Sequence, residues 1–182
     1  MKKVSYYIPL LLFLVLAIFF SIQLLTQKDP SELPSVFIEK KLPNITLDPF
    51  EDYEFLSQDL LNNTGNLYLI NIWASWCAPC MAEHQYLMEL SKSYNITIYG
   101  INYKNKLLDA KAFLENYGNP FTAIGRDVSG REAINLGVYG VPETFIVDKY
   151  GFIKYRHVGP ILEYDINNTI LPIIKKLGVE VN

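Results

Sequence analysis

The chain has 182 residues, half of them hydrophobic, and only two are cysteines. This length fits one compact domain with a short appendage, and the apolar content is sufficient for a core. The formal net charge of -3 argues against a nucleic-acid-binding protein, because such proteins normally present a basic face. The two cysteines are separated by two residues, which excludes a disulfide framework that holds a large exported domain together.

The first predicted element is a helix over the apolar run Tyr6–Leu25, which is long enough to cross the hydrocarbon core of a bilayer. The run does not end in small residues of a signal-peptidase site, so residues 1–27 are predicted to be an uncleaved signal anchor. Lys2 and Lys3 precede the run and are expected on the cytoplasmic side. We therefore predict a single-pass protein of the inner (cytoplasmic) membrane, with its folded domain in the periplasm.

The segment after the anchor is rich in proline and charge, and residues 28–41 are predicted to form a tether. The folded domain is then expected over residues 42–182. Residues 67–73 form a nearly continuous apolar run, typical of a central strand buried on both faces. Apolar residues at helical spacing over 78–94 and a β-branched, aromatic stretch over 96–103 complete a strand, helix, strand order.

The second half of the domain continues the alternation of helices and strands. Gly118 and Gly137 are placed as helix C-terminal caps, and the segment Asp148–Gly151 is typical of a hairpin turn. The predicted elements are two helices, two hairpin strands and a final helix: residues 107–117, 129–136, 143–147, 152–158 and 163–177.

A Cys77-Ala78-Pro79-Cys80 motif lies where the central strand gives way to a helix. Unpaired backbone N–H groups and the helix dipole at this N-terminus stabilise a thiolate on Cys77. Cys80 follows one turn later, close enough to attack a mixed disulfide at Cys77, and Pro79 is tolerated in the first turn. The motif predicts a redox pair with Cys77 as the nucleophile and Cys80 as the resolving thiol.

Other uses of the cysteine pair are less consistent with the sequence. A structural disulfide closing so small a loop would constrain the unfolded chain by only about 2 kcal/mol. A metal site would need more ligands than the pair with His84 and His157, and c-type haem attachment would require a histidine where Met81 stands. We therefore predict no metal and no cofactor besides a redox-active disulfide.

Glu83 lies three residues after Cys80, on the same side of the predicted helix. Its carboxylate could accept a proton, or it could raise the thiol pKa values as a like-charged neighbour. The alternative is a solvent-exposed glutamate on the helix surface.

Val141 and Pro142 open a predicted strand, and a cis peptide bond there could place backbone beside the cysteines. A trans proline at the start of an edge strand is the alternative. Glu143 follows directly and could line the same groove, or it could simply be exposed.

The segment Trp73–Cys80 resembles the active-site segment of thioredoxin. More specifically, four dispersed segments resemble the CcmG/DsbE branch of thioredoxin-like proteins: Cys80–Leu87, Gly100–Lys104, Gly137–Phe145 and Tyr155–Gly159. The resemblance extends from about Leu42 to Leu177. It implies an α/β, thioredoxin-like fold with a central mixed β-sheet flanked by helices, preceded here by the N-terminal transmembrane helix.

The resemblance also implies roles for particular residues. Pro142 takes the cis-proline position, and Glu83 and Glu143 match acidic residues of the family's active-site region. Asn71 stands where thioredoxin has a buried aspartate, so proton transfer would use another group, and Glu83 is the candidate. The implied substrate groove consists of residues from both sides of the cysteine pair: Trp76, Ala78, Pro79, Val141, Pro142 and Glu143.

The function implied by the resemblance is that of a periplasmic reductase that keeps the haem-binding cysteines of apocytochrome c reduced for cytochrome c maturation. Its expected partners are apocytochrome c, other cytochrome c maturation proteins and a transmembrane thiol carrier of the DsbD or CcdA type, which supplies electrons. Two alternatives stay open at this point. One is a general exported disulfide reductase or isomerase, and the other is a non-enzymatic apocytochrome chaperone.

Overall fold

A computed structural model describes residues 8–25 and 37–179 of the chain. The chain divides into two compact units, Met1–Leu33 and Pro34–Asn182. In the first unit, Ile8–Leu25 forms helix α1. Within the described residues no helix combines the length and the apolar character needed to cross a bilayer, so the structure does not support the predicted transmembrane helix.

The second unit is built on one six-stranded sheet. In chain order its strands are β1 (Asp48–Pro49), β2 (Tyr68–Trp73), β3 (Thr97–Tyr103), β4 (Ala123–Asp127), β5 (Glu143–Val147) and β6 (Ile153–Val158). Their order across the sheet is β1-β4-β3-β2-β5-β6. The β2–β3 and β3–β4 pairs are parallel and the remaining pairs are antiparallel, which gives the predicted mixed sheet.

Helices cover both faces of this sheet. They are α2 (Gln58–Asn62), α3 (Ala78–Lys92), α4 (Leu107–Tyr117), α5 (Arg131–Asn135), α6 (Glu163–Asp165) and α7 (Leu171–Lys176). A π-helical turn, Ile166–Ile170, joins α6 to α7. Pro172 lies two residues after this turn. Proline cannot donate an i→i−4 hydrogen bond and crowds the preceding turn, so the change in helical pitch lies where the α-helical pattern is hardest to maintain.

Two cores lie on opposite faces of the sheet. On one face, Trp73 of β2 packs with Leu87 of α3, Phe113 of α4 and Ile174 of α7. On the other, apolar residues of α2 and α5 pack with alternate residues of the same strands. Every residue of β2 is buried, as its continuous apolar run predicts for a strand covered on both faces.

Three elements were not predicted, namely β1, α2 and β4. Strand β4 reads Ala-Ile-Gly-Arg-Asp, and its glycine and two charged residues obscure the β pattern. Ordered pairing also begins before residue 42, because Glu39 N donates to Ile153 O at 2.8 Å and Lys41 pairs with Phe152. The end of the predicted tether therefore packs on the β5–β6 hairpin, while residues 26–36 lie outside the described part of the chain.

Candidate active site

The cysteine pair lies at the junction of β2 and α3. Cys77 is the N-cap of α3, and it forms a disulfide with Cys80 with a Cα–Cα distance of 5.2 Å. The backbone N–H of Cys80 donates to Cys77 Sγ at 3.1 Å. This amide and the helix dipole are placed to stabilise the Cys77 thiolate when the pair is reduced.

Exposed residues surround the buried sulfurs. Cys77 is only 4% exposed, whereas Ala78 and Pro79 are exposed on the first turn of α3. The ring of Trp76 is 58% exposed and is fixed by a hydrogen bond of 3.1 Å from its Nε1 to Lys104 O. A substrate that reaches Cys77 would therefore meet the Trp76 ring and the Ala78–Pro79 backbone.

Asn105 holds the loop that carries Cys77, and nothing in the sequence singled it out. Its Oδ1 accepts from Ser75 N at 2.6 Å and its Nδ2 donates to Ser75 Oγ at 2.9 Å. Asn102 Nδ2 donates to the same Oδ1 at 3.2 Å. Only the sheet topology could have indicated its role. The parallel strands β2 and β3 bring the loops at their carboxyl ends side by side, so a residue after β3 can contact the loop before Cys77.

The second wall of the site is the segment before β5. The Val141–Pro142 peptide bond is cis, and Val141 O lies 3.5 Å from Cys77 Sγ. A shallow cavity of about 290 Å³ lies along this wall, lined by Tyr139–Glu143, Val158 and Gly159. The structure thus brings Val141 and Pro142 beside the cysteine pair, where the resemblance placed them.

Glu143 is among the residues that line this cavity, and its carboxylate is buried. Its side chain is 1% exposed and forms a buried ion pair of 2.6 Å with Arg156, so the exposed alternative is wrong. Its Oε1 accepts from Tyr139 N at 2.8 Å, and Arg156 Nη2 donates to Gly137 O at 2.9 Å. The carboxylate is therefore occupied in holding the loop that leads to Pro142.

Glu83 is fully buried on α3, so the alternative of an exposed surface residue is wrong. Its Oε1 accepts from Asn71 Nδ2 at 2.9 Å and its Oε2 accepts from Ile161 N at 3.0 Å. Burial raises the pKa of Glu83 to about 7, although the hydrogen bonds from Ile161 and Asn71 lower it in part. A carboxyl group with this pKa can exchange protons near neutral pH.

Asn71 and Thr144 complete the surroundings of Glu83. Asn71 Nδ2 also donates to Thr144 Oγ1 at 3.0 Å, and these two residues are register partners on β2 and β5. Both side chains are buried and uncharged. Glu83 is therefore held by dipoles alone, and the charge of the buried network depends on its single carboxyl group.

The described residues contain no group of three or more histidine, cysteine, aspartate or glutamate side chains able to hold a metal ion. Both histidines lie against backbone carbonyls: His84 Nε2 is 2.9 Å from Gly118 O and His157 Nε2 is 3.3 Å from Pro160 O. What the site offers chemically is thiol–disulfide exchange at Cys77, with a buried carboxyl group three residues beyond Cys80.

Comparisons with known proteins agree with this chemistry. A family model described as Redoxin matches residues 38–170. The chain is 42% identical over 175 residues to the thiol:disulfide interchange protein DsbE of Pasteurella multocida (strain Pm70), covering 94% of this chain and 95% of the relative. It is 38% identical over 184 residues to the protein of the same name in Escherichia coli (strain K12), covering 99% and 98%.

Solved structures show the same fold. The thiol-disulfide oxidoreductase from Bacteroides fragilis NCTC 9343 superposes with a TM-score of 0.61 at 22% identity, covering 74% of this chain and 99% of that one. The sheet, the helix-capping cysteine pair and the proline wall define a thiol:disulfide oxidoreductase of thioredoxin-like fold. Within that class, the chain belongs to the CcmG/DsbE-type thiol:disulfide interchange proteins.

Proposed function

We propose that this oxidoreductase works as a reductase of the haem-binding cysteines of apocytochrome c during cytochrome c maturation. The observation that carries the proposal is the convergence of the four segments that resemble the CcmG/DsbE branch. Cys80–Leu87 contains Glu83, Gly100–Lys104 contacts Trp76, Gly137–Phe145 forms the proline wall, and Tyr155–Gly159 reaches the cavity along that wall. Residues far apart in sequence thus meet around one disulfide.

The proposed location is the periplasmic side of the inner membrane. Its support is the sequence alone, namely the apolar run Tyr6–Leu25 after Lys2 and Lys3. In that compartment the pair would be reduced again by a transmembrane thiol carrier of the DsbD or CcdA type, and the protein would act beside other cytochrome c maturation proteins.

The reaction starts from the reduced pair. The Cys77 thiolate attacks one sulfur of the substrate disulfide, which forms a mixed disulfide and releases the other substrate sulfur as a thiolate. Cys80 then loses its proton to Glu83 and attacks Cys77 Sγ. This step releases the second substrate thiolate, which takes up a proton, and leaves the Cys77–Cys80 disulfide. Two electrons have passed from the pair to the substrate.

The groove beside Pro142 is proposed to bind the substrate as an extended backbone. Tyr139 and Gly140 are exposed next to it, and the cavity along Val141 and Pro142 is shallow and open, as strand addition requires. Backbone recognition of this kind is tolerant of side chains and suits an unfolded substrate with its own cysteine pair.

A covalent trap tests the proposed substrate. The full-length Cys80→Ala variant retains Cys77 but cannot resolve a mixed disulfide, so it should accumulate a covalent complex with apocytochrome c in cells, seen by mass spectrometry after alkylation of free thiols. The Cys77→Ala, Cys80→Ala variant is the control and should capture nothing.

Other outcomes of the trap favour the alternatives. Capture of many unrelated exported proteins without any cytochrome would indicate a general disulfide reductase or isomerase. If the double variant still supports cytochrome c maturation, the contribution of the protein is that of a chaperone and not of its thiols.

A further inference from the structure

The peptide group between Pro160 and Ile161 has hydrogen bonds on both sides. Ile161 N donates to Glu83 Oε2 at 3.0 Å, and Pro160 O lies 3.3 Å from His157 Nε2. A carbonyl oxygen can only accept, so this hydrogen bond requires a proton on Nε2 of the His157 ring. One peptide unit therefore joins the imidazole of His157 to the carboxyl group of Glu83.

The loop that contains this peptide also reaches the proline wall. Gly159 N donates to Pro142 O at 3.0 Å, two residues before the amide that holds Glu83. The loop Gly159–Ile161 thus contacts both sides of the active site. His157 lies on β6, two residues before Gly159, and is 6% exposed.

The hydrogen bond between His157 Nε2 and Pro160 O polarises the Pro160–Ile161 peptide group. A donor on the carbonyl oxygen of a peptide makes its N–H a stronger donor, because consecutive hydrogen bonds reinforce each other in a medium of low dielectric constant. A stronger N–H donor at Ile161 favours the charged form of Glu83 over the neutral form. The same contact also fixes the direction in which the Ile161 N–H points.

We propose that His157 is a positioning residue that acts through the Pro160–Ile161 peptide group to set the proton affinity of Glu83. The inference rests on the proposed role of Glu83 as the proton acceptor of Cys80. His157 itself contacts neither cysteine through any hydrogen bond in the described structure, so its effect on the reaction passes through the carboxyl group.

Few other ionisable groups of the described structure lie near His157 and Glu83. Asp165 of α6 has its Oδ2 4.0 Å from His157 Nε2 and also accepts from Leu162 N at 2.9 Å. The Tyr155 ring lies 6.5 Å from that of His157 on the same face of β6. Glu143 and Arg156 extend from the opposite face of their strands, where Arg156 packs over Phe145. On α3 itself, the ionisable residues one turn before and one turn after Glu83 are Cys80 and Tyr86, and His84 follows Glu83 directly.

The test is an NMR titration of the Glu83 side-chain carboxyl carbon in the oxidised full-length protein in detergent micelles. His157→Leu removes the donor and should raise the Glu83 midpoint by about half a pH unit or more. His157→Gln keeps an N–H donor and should restore most of the wild-type midpoint. An unchanged midpoint in His157→Leu, or equal shifts in both variants, would overturn the proposal.

His84 provides a matched control. It is the other histidine of the chain, it is similarly buried at 5% exposure, and it contacts the carbonyl of Gly118 on a different loop. His84→Gln should leave the Glu83 midpoint in place, and a shift as large as that of His157→Leu would show that the effect is not carried by the Pro160–Ile161 peptide.

A measurement on the wild-type protein keeps the proposal testable even if His157→Leu does not fold. Ring ¹⁵N shifts report the tautomer of neutral imidazole, and the proposal requires the proton of neutral His157 on Nε2. A proton on Nδ1 would contradict it. Both readouts are independent of any substrate, so the coupling can fail while the proposed apocytochrome c function stands, and the reverse also holds.

Discussion

Asn71 Nδ2 donates to Glu83 Oε1 at 2.9 Å, and this contact joins the central strand to the active-site helix. The position that carries a buried carboxylate in thioredoxin is neutral here, and the buried carboxyl group lies on α3 instead. In the proposed mechanism, the acid–base group therefore lies on the helix that contains Cys80 and not on β2. Because Asn71 contributes no charge, the proton affinity of the site depends on the burial of one residue, Glu83.

Replacement of Glu83 should slow the second half of the reaction. Glu83→Gln removes the proton acceptor for Cys80 while keeping the shape of the side chain. We expect resolution of a preformed mixed disulfide at Cys77 to slow by about 100-fold at neutral pH, the lower end of what a positioned base contributes. Stopped-flow measurement of the released substrate thiol gives the rate.

The pH dependence of that rate provides a second check. In the wild type the rate should rise as the pH passes through about 7, where Glu83 becomes ionised and able to accept a proton. Glu83→Gln should lack this inflection, whereas Glu89→Gln, an exposed change on the same helix, should retain it. An unaltered profile in Glu83→Gln would assign proton transfer to another group.

Stability should fall as the pH rises through the same range. The folded protein holds the Glu83 proton up to about pH 7, whereas the unfolded chain releases it near 4.5. Since the folded state binds more protons between these values, the free energy of unfolding decreases with pH there. At about 1.4 kcal/mol per pH unit, the total loss is about 3 kcal/mol. Urea unfolding of the oxidised protein, followed by tryptophan fluorescence, measures it.

Glu83→Gln serves as the reference for this stability experiment, because its side chain does not titrate. The difference in unfolding free energy between wild type and variant should change by about 3 kcal/mol from pH 4.5 to 7. Parallel pH curves for the two proteins would mean that Glu83 is not held in its neutral form by the fold.

A second carboxyl group beside Glu83 should raise the pH at which Glu83 titrates. Asn71→Asp introduces a carboxylate at hydrogen-bonding distance from Glu83, and two such groups share a proton, so the upper of their two apparent pKa values lies above the wild-type value. The inflection in the resolution rate should move to higher pH by about one unit or more. Asn102→Asp adds a buried carboxyl group near Asn105 instead and should not move the inflection. Equal inflections in wild type and Asn71→Asp would contradict the arrangement.

The buried Glu143–Arg156 ion pair should matter for stability. Arg156→Met leaves the Glu143 carboxylate buried without its partner and releases Gly137 O, and we expect a loss of about 3–5 kcal/mol in unfolding free energy. Lys154→Met, two residues earlier on β6, breaks a surface ion pair with Glu39 and should cost at most about 1 kcal/mol. Similar losses in the two variants would show that the buried pair has no special role in holding the loop before Pro142.

The parts of the molecule that the sequence predicts well are those with strong local patterns. The apolar run of β2, the capped helix α4 and the hairpin of β5 and β6 lie within a residue or two of their predicted limits. Strand β4 was missed because Gly125 and Arg126 interrupt its pattern, and it is a strand through its pairing with β3. A strand that depends on tertiary pairing has no recognisable pattern in its own sequence.

The residues of the candidate site show the same contrast between local patterns and long-range contacts. Cys77 and Cys80 are evident from a motif at a strand-to-helix junction, since the chemistry needs both residues at that spacing. The burial of Glu83 was not evident, because the loop Gly159–Ile161 that covers it lies 78 residues further along the chain. Asn105 and Arg156 were missed for the same reason, as each acts through a contact with a distant loop.

The central claim is that the cysteine pair donates electrons in an oxidising compartment, and its reduction potential tests this most directly. The full-length protein in detergent is equilibrated with defined thiol–disulfide buffers, and the fraction of reduced Cys77–Cys80 is measured by alkylation and mass spectrometry. A reductase should have a potential near the reducing end of the thioredoxin-like range, about -270 mV. A potential of about -120 mV, typical of a strong oxidant, would contradict the account and indicate a protein that forms disulfides.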